Sequence, residues 1–404
     1  MRILGRIITI IIAVIVTIAA IAAGYMIYLN VNSKRLPDRS ELEVTNVAGG
    51  LTEGASLPTL ETGREYSALT YNIGFGAYGH EFSFFMSEGR IAGGEETKGL
   101  MSRAASEDSV NSNMDAAMAV VMERRPDIAV FQEVDRNAGR SYKIDELKMI
   151  SRAFGEGGSF AEAYATNFHT GWLLWPPAHP MGMVKDSGIA TYSRYAIDGA
   201  ERLSLPVALS FPDKFFDLDR CFTVTRMPVA RADGTDAGAG SDADATNPGS
   251  DAGASGASPE LVLINVHLSA YEAGKAMRDE QMKKLAGVMS EERANGNWVI
   301  AGGDWNQSFP GSIGAFTGRM ETPPWVHPFD EGELPNNFSI VNADNADVIA
   351  TCRDSSIPWT PGVSYETIMD GWVVSDNVTA TADNTDTDYA ASDHNPVLLT
   401  FTLR

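Results

Sequence analysis

The sequence has few of the residues that build a disulfide framework or a basic surface. Among 404 residues there are two cysteines, Cys221 and Cys352, too few for a disulfide scaffold or a thiolate zinc site. Two free thiols and one bridge both fit this count. Lysine and arginine total 31 against 53 aspartates and glutamates, which gives a net charge of −22. This balance argues against strong nonspecific binding to nucleic acid, although a nuclease with a metal in an acidic site is compatible with it.

Charge is also absent from a long apolar stretch near the start of the chain. No charged residue occurs in residues 7–29, and about 20 apolar residues suffice to span the hydrocarbon core of a bilayer. A cleavable signal peptide is the alternative, since "AAIAAG" offers small residues for cleavage, but its apolar region is usually only about 7–15 residues long. We therefore expect residues 1–35 to form a transmembrane anchor, with residues 7–29 in the bilayer.

Two segments lack both periodicity and bulky apolar residues. Residues 36–64 carry turn formers and are predicted to be a flexible tether. Residues 232–259 contain five aspartates and no lysine or arginine, and such a segment cannot bury enough surface to offset its ordering entropy. We expect this segment to be a disordered insert within a single catalytic domain of residues 65–404.

The rest of the chain alternates between apolar β-type runs and helical patterns. Residues 66–74 and 128–134 predict strands, and a helix is expected before the second of them, ending near Pro126. In a second predicted helix, residues 273–296, Met282, Leu285, Ala286 and Met289 form one apolar stripe. Strands outnumber helices and several follow one another directly, which favours mixed sheets packed with helices over a doubly wound fold.

Polar side chains recur where these predicted strands begin or end. A single aspartate or asparagine at such a place is usually a turn residue, but here six strands of one domain carry one. Because sheets bring equivalent strand ends together, we expect these side chains to share a site, and carboxylate and carboxamide oxygens suit Mg²⁺ or Mn²⁺ better than zinc. The residues are Asn72, Glu133, His267, Asp304 with Asn306, Asp370, and Asp393 with His394.

Five motifs in one order resemble the endonuclease/exonuclease/phosphatase superfamily, which includes DNase I-like nucleases. They are "LTYNIG", "FQEVD", "NVHL", "GGDWN" and "SDHNPV". The run "YNIGFGAYGHEFSFFM" is similar to a bacterial membrane-anchored branch of that family. The resemblance covers residues 66–404 and implies an α/β fold, a four-layered sandwich of two mixed β-sheets face to face with helices outside, preceded here by the transmembrane helix.

The resemblance also implies roles for the residues at the strand ends. Asn72, Glu133 and Asp393 would hold the metal, expected to be Mg²⁺ with Mn²⁺ as the alternative. Asp304 would orient and deprotonate the attacking water, and Asn306 would position water or phosphate. A cation next to a carboxylate base suits phosphoester hydrolysis, because the transition state gathers negative charge on phosphate oxygens.

Further residues would contact the phosphate itself. By the same resemblance, His394 would donate to it, with Asp370 fixing the imidazole tautomer. His267 would be a second donor, and Tyr164 and Asn167 would bind substrate. Arg353 is expected to form a surface ion pair rather than to grip an anion.

Together these features predict a membrane-tethered, monomeric, divalent-metal-dependent phosphoesterase. Its substrate would be nucleic acid, a phospholipid headgroup or a soluble phosphoester, because specificity lies in loops that the sequence does not decode. The alternative is a noncatalytic surface-binding module with the same fold. The expected partners are the phosphoester substrate and, through residues 7–29, the lipid bilayer.

The expected location is a bacterial cell membrane, with a single pass and the catalytic domain outside the cytoplasm. Basic residues flank both ends of the apolar stretch, so the positive-inside rule does not decide the orientation. The short leading segment that contains Arg2 and Arg6 resembles the cytoplasmic tail of a signal-anchor. Protease added to intact spheroplasts should therefore remove the domain and release an active soluble fragment. If the domain resists the protease until the membrane is permeabilised, the orientation is the reverse of the expected one.

Overall fold

The computed structural model describes residues 2–33, 35–47, 56–208, 215, 218–231, 258–270 and 275–404. The helices of this part of the chain are α1 (Arg2–Asn32), α2 (Glu107–Arg124), α3 (Glu146–Glu156) and α4 (Lys275–Ala294). Its strands are β1 (Arg39–Leu42), β2 (Val44–Val47), β3 (Leu60–Glu61), β4 (Glu65–Asn72), β5 (Glu88–Ile91), β6 (Glu95–Lys98), β7 (Ile128–Ala138), β8 (Phe160–Leu173), β9 (Gly182–Ser193), β10 (Gly199–Ser204), β11 (Cys221–Ala230), β12 (Glu260–His267), β13 (Trp298–Asp304), β14 (Phe338–Val341), β15 (Cys352–Arg353), β16 (Glu366–Thr367), β17 (Asp370–Ser375), β18 (Val378–Asn384) and β19 (Val397–Leu403). The predicted insert of residues 232–259 lies outside the described residues, apart from its last two positions.

Two large mixed sheets form the body of the protein. The first has the strand order β1-β10-β11-β12-β13-β17-β14, with β3 beside β11. The second has the order β18-β19-β4-β7-β9-β8-β2. Each contains one parallel pair among its central strands, β12 with β13 and β4 with β7, while the neighbouring pairs are antiparallel. The carboxyl ends of β4, β12 and β13 carry the predicted site residues Asn72, His267 and Asp304, whereas Glu133 lies in the middle of β7 rather than at its end.

An apolar layer joins the inner faces of the two sheets. Ile128 and Leu399 from the second sheet belong to the same buried cluster as Leu263, Ile300 and Trp372 from the first sheet. Side chains alternate across each strand, so the opposite faces of both sheets need a cover of their own.

Helices cover those outer faces. Helices α2 and α3 bury Met114, Val121 and Phe154 against the second sheet. Helix α4 buries Met282 and Leu285, part of its predicted stripe, against the first sheet. The arrangement is helix, sheet, sheet, helix, which confirms the predicted four-layered α/β sandwich.

Local sequence signals account for the limits of α2. Ser106 caps the first turn in a reciprocal arrangement with Ser109, whose hydroxyl accepts from the Ser106 backbone N–H. The helix ends at Arg124 because Arg125 takes a left-handed conformation with φ of 47° and Pro126 follows it. The predicted helix end near Pro126 is thus confirmed, and β7 begins two residues later.

A buried amide pair ties the two sheets together beneath the predicted site. Gln132 of β7 donates to the Asn265 side-chain oxygen at 2.7 Å, and both residues are fully buried. The Asn265 amide in turn donates to the carbonyls of Phe131 and Ala190. Since a buried amide is costly to leave unpaired, this contact fixes the offset of one sheet over the other.

The described part of residues 36–64 differs from the flexible tether that the sequence predicted. Strand β1 pairs with β10 in the first sheet, and β2 pairs with β8 in the second. The side chain of Arg202, only 2% exposed, donates to the carbonyls of Pro37, Thr166 and Asp219. The segment is ordered by contacts with distant parts of the chain, which its own composition does not reveal.

Helix α1 also contacts the domain rather than standing apart from it. Leu29 is buried in an apolar cluster with Phe168, Leu173 and Met181. Next to this cluster, the Ser33 hydroxyl lies 2.9 Å from that of Thr170. The remainder of the helix exposes its apolar side chains, as a segment that crosses a bilayer would.

We expect Arg202→Leu to destabilise the domain by about 3 kcal/mol or more, because three buried carbonyls would lose a charged donor. Arg39→Ala is the matched control, since Arg39 is exposed and its ion pair with Glu201 is worth about 0–1 kcal/mol. Denaturant unfolding of the full chain in detergent, followed by near-UV circular dichroism, measures both. Equal stability of the two variants would contradict the structural role of residues 36–47.

Candidate active site

The ends of the central strands of both sheets meet in one cleft. Six of the predicted site residues line it, namely Glu133, His267, Asp304, Asn306, Asp393 and His394. Asn72 and Asp370 lie directly behind them and are each 1% exposed. The structure therefore brings together eight of the ten residues selected from the sequence.

Two glycines determine where Asp304 can lie. A Cβ on Gly302 would meet the Trp372 ring at 2.1 Å, and one on Gly303 would meet the Val266 carbonyl oxygen at 1.9 Å. Gly303 also has a φ of 152°, a backbone conformation that residues other than glycine rarely adopt. The "GG" before Asp304 thus lets β13 lie close to β12 on one side and to the Trp372 indole on the other.

The Asp304 carboxylate is held by several donors. It accepts from the backbone N–H of Asn306 at 2.9 Å, from the Asn306 side chain at 3.1 Å and from the Asn72 side chain at 3.0 Å. Asn306 in turn donates to the Leu268 carbonyl, and its backbone has a φ of 49°. The carboxylate is fixed in place, as a general base must be.

Asn72 acts as a hydrogen-bond donor in this structure, and the metal-ligand role that the family resemblance implied stays a prediction. Its side-chain oxygen accepts from the Gly74 backbone N–H at 3.0 Å, which fixes the orientation of the amide. The amide nitrogen then donates to Glu133 at 3.3 Å and to Asp304. With this orientation Asn72 positions the carboxylates around it and presents no oxygen to the cleft.

Glu133 is aimed into the cleft by an irregularity in β7. Its backbone has a φ of 57°, and the pairing of β7 with β9 shifts register between Phe131 and Val134. A bulge of this kind re-aims a side chain, and a left-handed glutamate is costly. The location of this strain at the cleft supports a functional role for Glu133.

His394 and Asp370 form a buried pair. The Asp370 carboxylate lies 2.8 Å from Nδ1 of His394, and the other ring nitrogen faces Asp304 at 3.8 Å. Burial raises the pKa of Asp370 to about 6, although His394 lowers it. Burial lowers the pKa of His394, but Asp370, Cys352 and Asp304 together raise it well above its ordinary value. These shifts favour the charged form of His394, an imidazolium held by the Asp370 carboxylate.

His267 lies beside Asp304, and its pKa is shifted in the opposite direction to that of His394. The two residues are paired across the parallel strands β12 and β13, with 3.6 Å between Nε2 and the carboxylate. Burial and the positive charges of Arg220, His394 and Arg140 lower the pKa of His267 well below its usual value. The site thus combines one charged and one neutral imidazole, with Nδ1 of His267 unpartnered among the described residues.

The donor set around the cleft suits a hard divalent cation. Potential ligand atoms of Asp304, Asp370 and His394 lie within 4.8 Å of one another, but Asp370 and His394 are already hydrogen-bonded to each other. The other two carboxylates that face the cleft are Glu133 and Asp393. Burial raises the pKa of Asp393 to about 7, with Glu133 adding to the rise while His394 and Arg353 oppose it. Carboxylate oxygens that line one cleft suit Mg²⁺ or Mn²⁺.

The two predicted substrate-binding residues of β8 do not line the cleft. The Tyr164 hydroxyl donates to Asp186 at 3.1 Å and also contacts the Val134 carbonyl. Asn167 is fully buried, and neither end of its amide has a partner among the described residues. The structure therefore places Tyr164 in a framework role and leaves Asn167 as an unsatisfied amide behind the wall that contains Phe168.

Two arginines that were not predicted as site residues from the sequence also line the cleft. Arg353 is 1% exposed and donates to the carbonyls of Tyr78 and Gly79, so the predicted surface ion pair is wrong. Arg220 is 6% exposed, and its Nε and Nη1 atoms have no partner among the described residues. Nε of Arg353 is likewise unpartnered. No motif surrounds either residue, and only the fold reveals that both face the cleft.

Both cysteines are buried free thiols, which settles the alternatives left by the sequence. Cys352 lies 3.8 Å from Nε2 of His394, and burial raises its pKa to about 12. Cys221 lies earlier in the chain, at the start of β11, and burial raises its pKa to about 11. Neither thiol would ionise at neutral pH, so neither is a nucleophile.

Comparison with known proteins agrees with this geometry. A model described as "Endonuclease/Exonuclease/phosphatase family" matches residues 69–394. No curated protein matches the chain.

Several solved structures have similar folds. An endonuclease/exonuclease/phosphatase from Beutenbergia cavernae DSM 12333 has 14% identity and a TM-score of 0.50, covering 84% of this chain and 72% of that one. Truncated TDP2 of Caenorhabditis elegans has 14% identity and a TM-score of 0.47, covering 84% and 98%. A protein of the same family from Leptotrichia buccalis C-1013-b has 12% identity and a TM-score of 0.48, covering 84% and 100%. At these identities the likeness concerns the fold.

We expect Gly303→Ala to destabilise the protein by at least about 1–3 kcal/mol, the usual cost of overpacking, because the new methyl group would strike the Val266 carbonyl. Gly287→Ala is the control, since no atom lies within 4 Å of its Cβ position and alanine favours a helix by about 1 kcal/mol. Thermal unfolding measures both changes. A neutral Gly303→Ala would show that the approach of β13 to β12 is not as close as described.

Proposed function

The chain belongs to the endonuclease/exonuclease/phosphatase family, and from that premise we propose that it is a membrane-tethered phosphoesterase that requires a divalent cation. The family consists of enzymes that hydrolyse phosphate esters. The observation that carries the proposal is the cleft itself, where the fixed carboxylate of Asp304 lies within 4 Å of two imidazoles. A base and two donors converging on one point is the arrangement that phosphoester hydrolysis needs.

Glu133 and Asp393 would hold the cation, with Mg²⁺ as the first candidate and Mn²⁺ as the second. When bound, the cation supplies positive charge next to the scissile phosphate. Both carboxylates line the cleft, and burial, with a smaller contribution from the charge of Glu133, raises the pKa of Asp393 to about 7, which supports this assignment. Asn72 would act from behind, by keeping Glu133 and Asp304 apart and oriented.

Asp304 would accept the proton of the attacking water. Its carboxylate already accepts hydrogen bonds from Asn72 and Asn306, which stabilise the ionised form. Asn306 would also position the water, since it lines the cleft beside the Asp304 carboxylate. The rigid backbone around the two glycines would keep the base at a constant distance from the phosphate.

The two histidines would serve the phosphate oxygens in different ways. His394, kept charged by Asp370, would donate through Nε2 and offset the negative charge of the transition state. His267 is neutral, so it would donate one N–H without repelling the cation. Arg220 and Arg353 line the same cleft, and each has at least one guanidinium nitrogen without a partner among the described residues, which supports an anionic substrate.

The tether would be α1, the one helix among the described residues long and apolar enough to cross a membrane. A bacterial cell membrane with the domain on its outer side is part of the proposal. The substrate classes open to such an enzyme are nucleic acid, phospholipid headgroups and soluble phosphoesters.

Turnover of a simple diester separates the enzyme from the noncatalytic alternative. The full chain, purified in detergent, should hydrolyse bis-p-nitrophenyl phosphate with Mg²⁺ present, and EDTA should abolish the reaction. Excess Mg²⁺ added afterwards should restore it. A folded protein without any turnover in either Mg²⁺ or Mn²⁺ would favour a binding module.

We expect Asp304→Asn to lower kcat by about 10²–10⁴-fold, the usual contribution of a general base, because the amide cannot accept the proton from water. The fold should persist, since one side-chain oxygen remains to accept from Asn72 and Asn306. Asp383→Asn, an exposed change on β18, is the control and should leave kcat unaltered. Activity of Asp304→Asn within tenfold of the wild type would contradict the base role.

A further inference from the structure

Exposed apolar side chains are concentrated at one place on the catalytic domain. Outside α1, the described residues expose six large apolar side chains, and three of them lie within four positions at the end of β8. Trp172 is 43% exposed, Leu174 51% and Trp175 56%. We call residues 172–175 the aromatic tip. Such a patch on a soluble surface would be costly, so it calls for a covering partner.

Helix α1 lies against the aromatic tip and is bonded to it. The Tyr28 hydroxyl accepts from the backbone N–H of Trp172, and the Tyr25 hydroxyl accepts from that of Leu174, each at 3.0 Å. Tyr25 also donates to the Trp172 carbonyl at 3.0 Å. Backbone groups that approach a bilayer must find partners within the protein, and here the two tyrosines provide them.

The position of these contacts along α1 gives the depth of the aromatic tip. Tyr25 lies seven residues before the end of α1 at Asn32, which is about 10 Å along a helix axis at 1.5 Å per residue. The continuous apolar stretch of the helix reaches Leu29, so the tip is level with its last apolar turns. Tryptophan and tyrosine are enriched at this depth, where the headgroups meet the hydrocarbon core.

The junction between helix and domain is tied down on both sides. Next to the Ser33–Thr170 contact, Arg35 lies 3.1 Å from Asp219, which also accepts from the Leu36 backbone N–H at 2.6 Å. Strand β1 then begins at Arg39. With so few residues between bilayer and sheet, the domain cannot turn freely above the membrane.

The same region forms one wall of the active-site cleft. Phe168, Met181 and Leu218 line the cleft, and all three belong to the apolar cluster that buries Leu29 of α1. Apolar side chains therefore continue from the membrane helix to the cleft that contains Asp304. Arg220, two residues from Leu218, also lines the cleft, and its Nε and Nη1 atoms, which have no partner within the described part of the chain, could donate to an anionic headgroup.

We propose that the aromatic tip and the end of α1 form one membrane-contact surface, and that the cleft beside it takes a phosphoester lipid directly from the bilayer. The lipid's chains would stay against the apolar wall while its phosphate reaches the site. Water would attack the phosphorus, one phosphorus–oxygen bond would break, and the leaving oxygen would take up a proton. This inference rests on the proposed function for its chemistry, but the contact surface itself does not.

Quenching by brominated lipid tests the contact surface without any activity. The full chain is placed in nanodiscs that contain brominated phosphatidylcholine, and tryptophan fluorescence is compared with that in unbrominated discs. The protein has seven tryptophans, and we expect quenching that Trp172→Phe with Trp175→Phe removes. Quenching that is absent, or unchanged in this double variant, would overturn the contact surface.

Two substrates then test the lipid assignment. The wild type should hydrolyse phospholipid in nanodiscs of phosphatidylethanolamine, phosphatidylglycerol and cardiolipin, as well as bis-p-nitrophenyl phosphate. In Trp172→Ser with Trp175→Ser, lipid turnover should fall by about tenfold, while turnover of the soluble ester should stay unchanged. Ile313→Ser with Val348→Ser, which removes two exposed apolar side chains elsewhere, should change neither rate.

The outcomes separate the two proposals. Turnover of the soluble ester without any lipid turnover would overturn the lipid assignment and leave the phosphoesterase standing. Equal lipid turnover in the tryptophan and control variants would overturn the role of the aromatic tip. Loss of all turnover in the wild type would refute the proposed function, and with it the lipid chemistry, whereas the quenching result would still decide whether the surface touches the membrane.

Discussion

The buried contact between Gln132 and Asn265 is the constraint on which the site depends. Two apolar sheet faces can pack at many offsets with similar energy, but an amide pair between them is satisfied at only one. Gln132 precedes Glu133, and Asn265 lies two residues before His267. Fixing this pair therefore brings Glu133, at the bulge in the middle of β7, close to the carboxyl end of β12. The side chains of the cleft follow from that registration.

The cleft is also a balance of buried charge. Four carboxylates, at Glu133, Asp304, Asp370 and Asp393, face two imidazoles and the cleft arginines. Burial alone would neutralise the acids, and it does raise the pKa values of Asp370 and Asp393. Donors close to Asp304 and the cation of His394 oppose this tendency. The Asp304 carboxylate lies in a largely buried location where the amides of Asn72 and Asn306 donate to it.

The path of the chain near the membrane has a physical consequence for access to the site. An anchor on a long flexible tether would let the domain sample many orientations. Here β1 and β2 enter opposite sheets within a few residues of α1, and Arg202 clamps the same segment from inside. If α1 crosses a bilayer, as we propose, a domain held in this way would present one face to it. That face would be the wall that leads to the cleft.

Local patterns in the sequence determined the apolar anchor, the α/β sandwich and the residues at the strand ends, because periodicity and strand-end residues are written in short stretches of chain. Tertiary structure alone decided the rest. Arg353 is buried by carbonyls more than 270 positions away, and Asn72 is turned by Gly74 towards two carboxylates from distant strands. The pairing of residues 39–47 likewise depends on edges that β8 and β10 supply. Contacts of this kind join segments far apart in sequence, and their energies exist only after the sheets have formed.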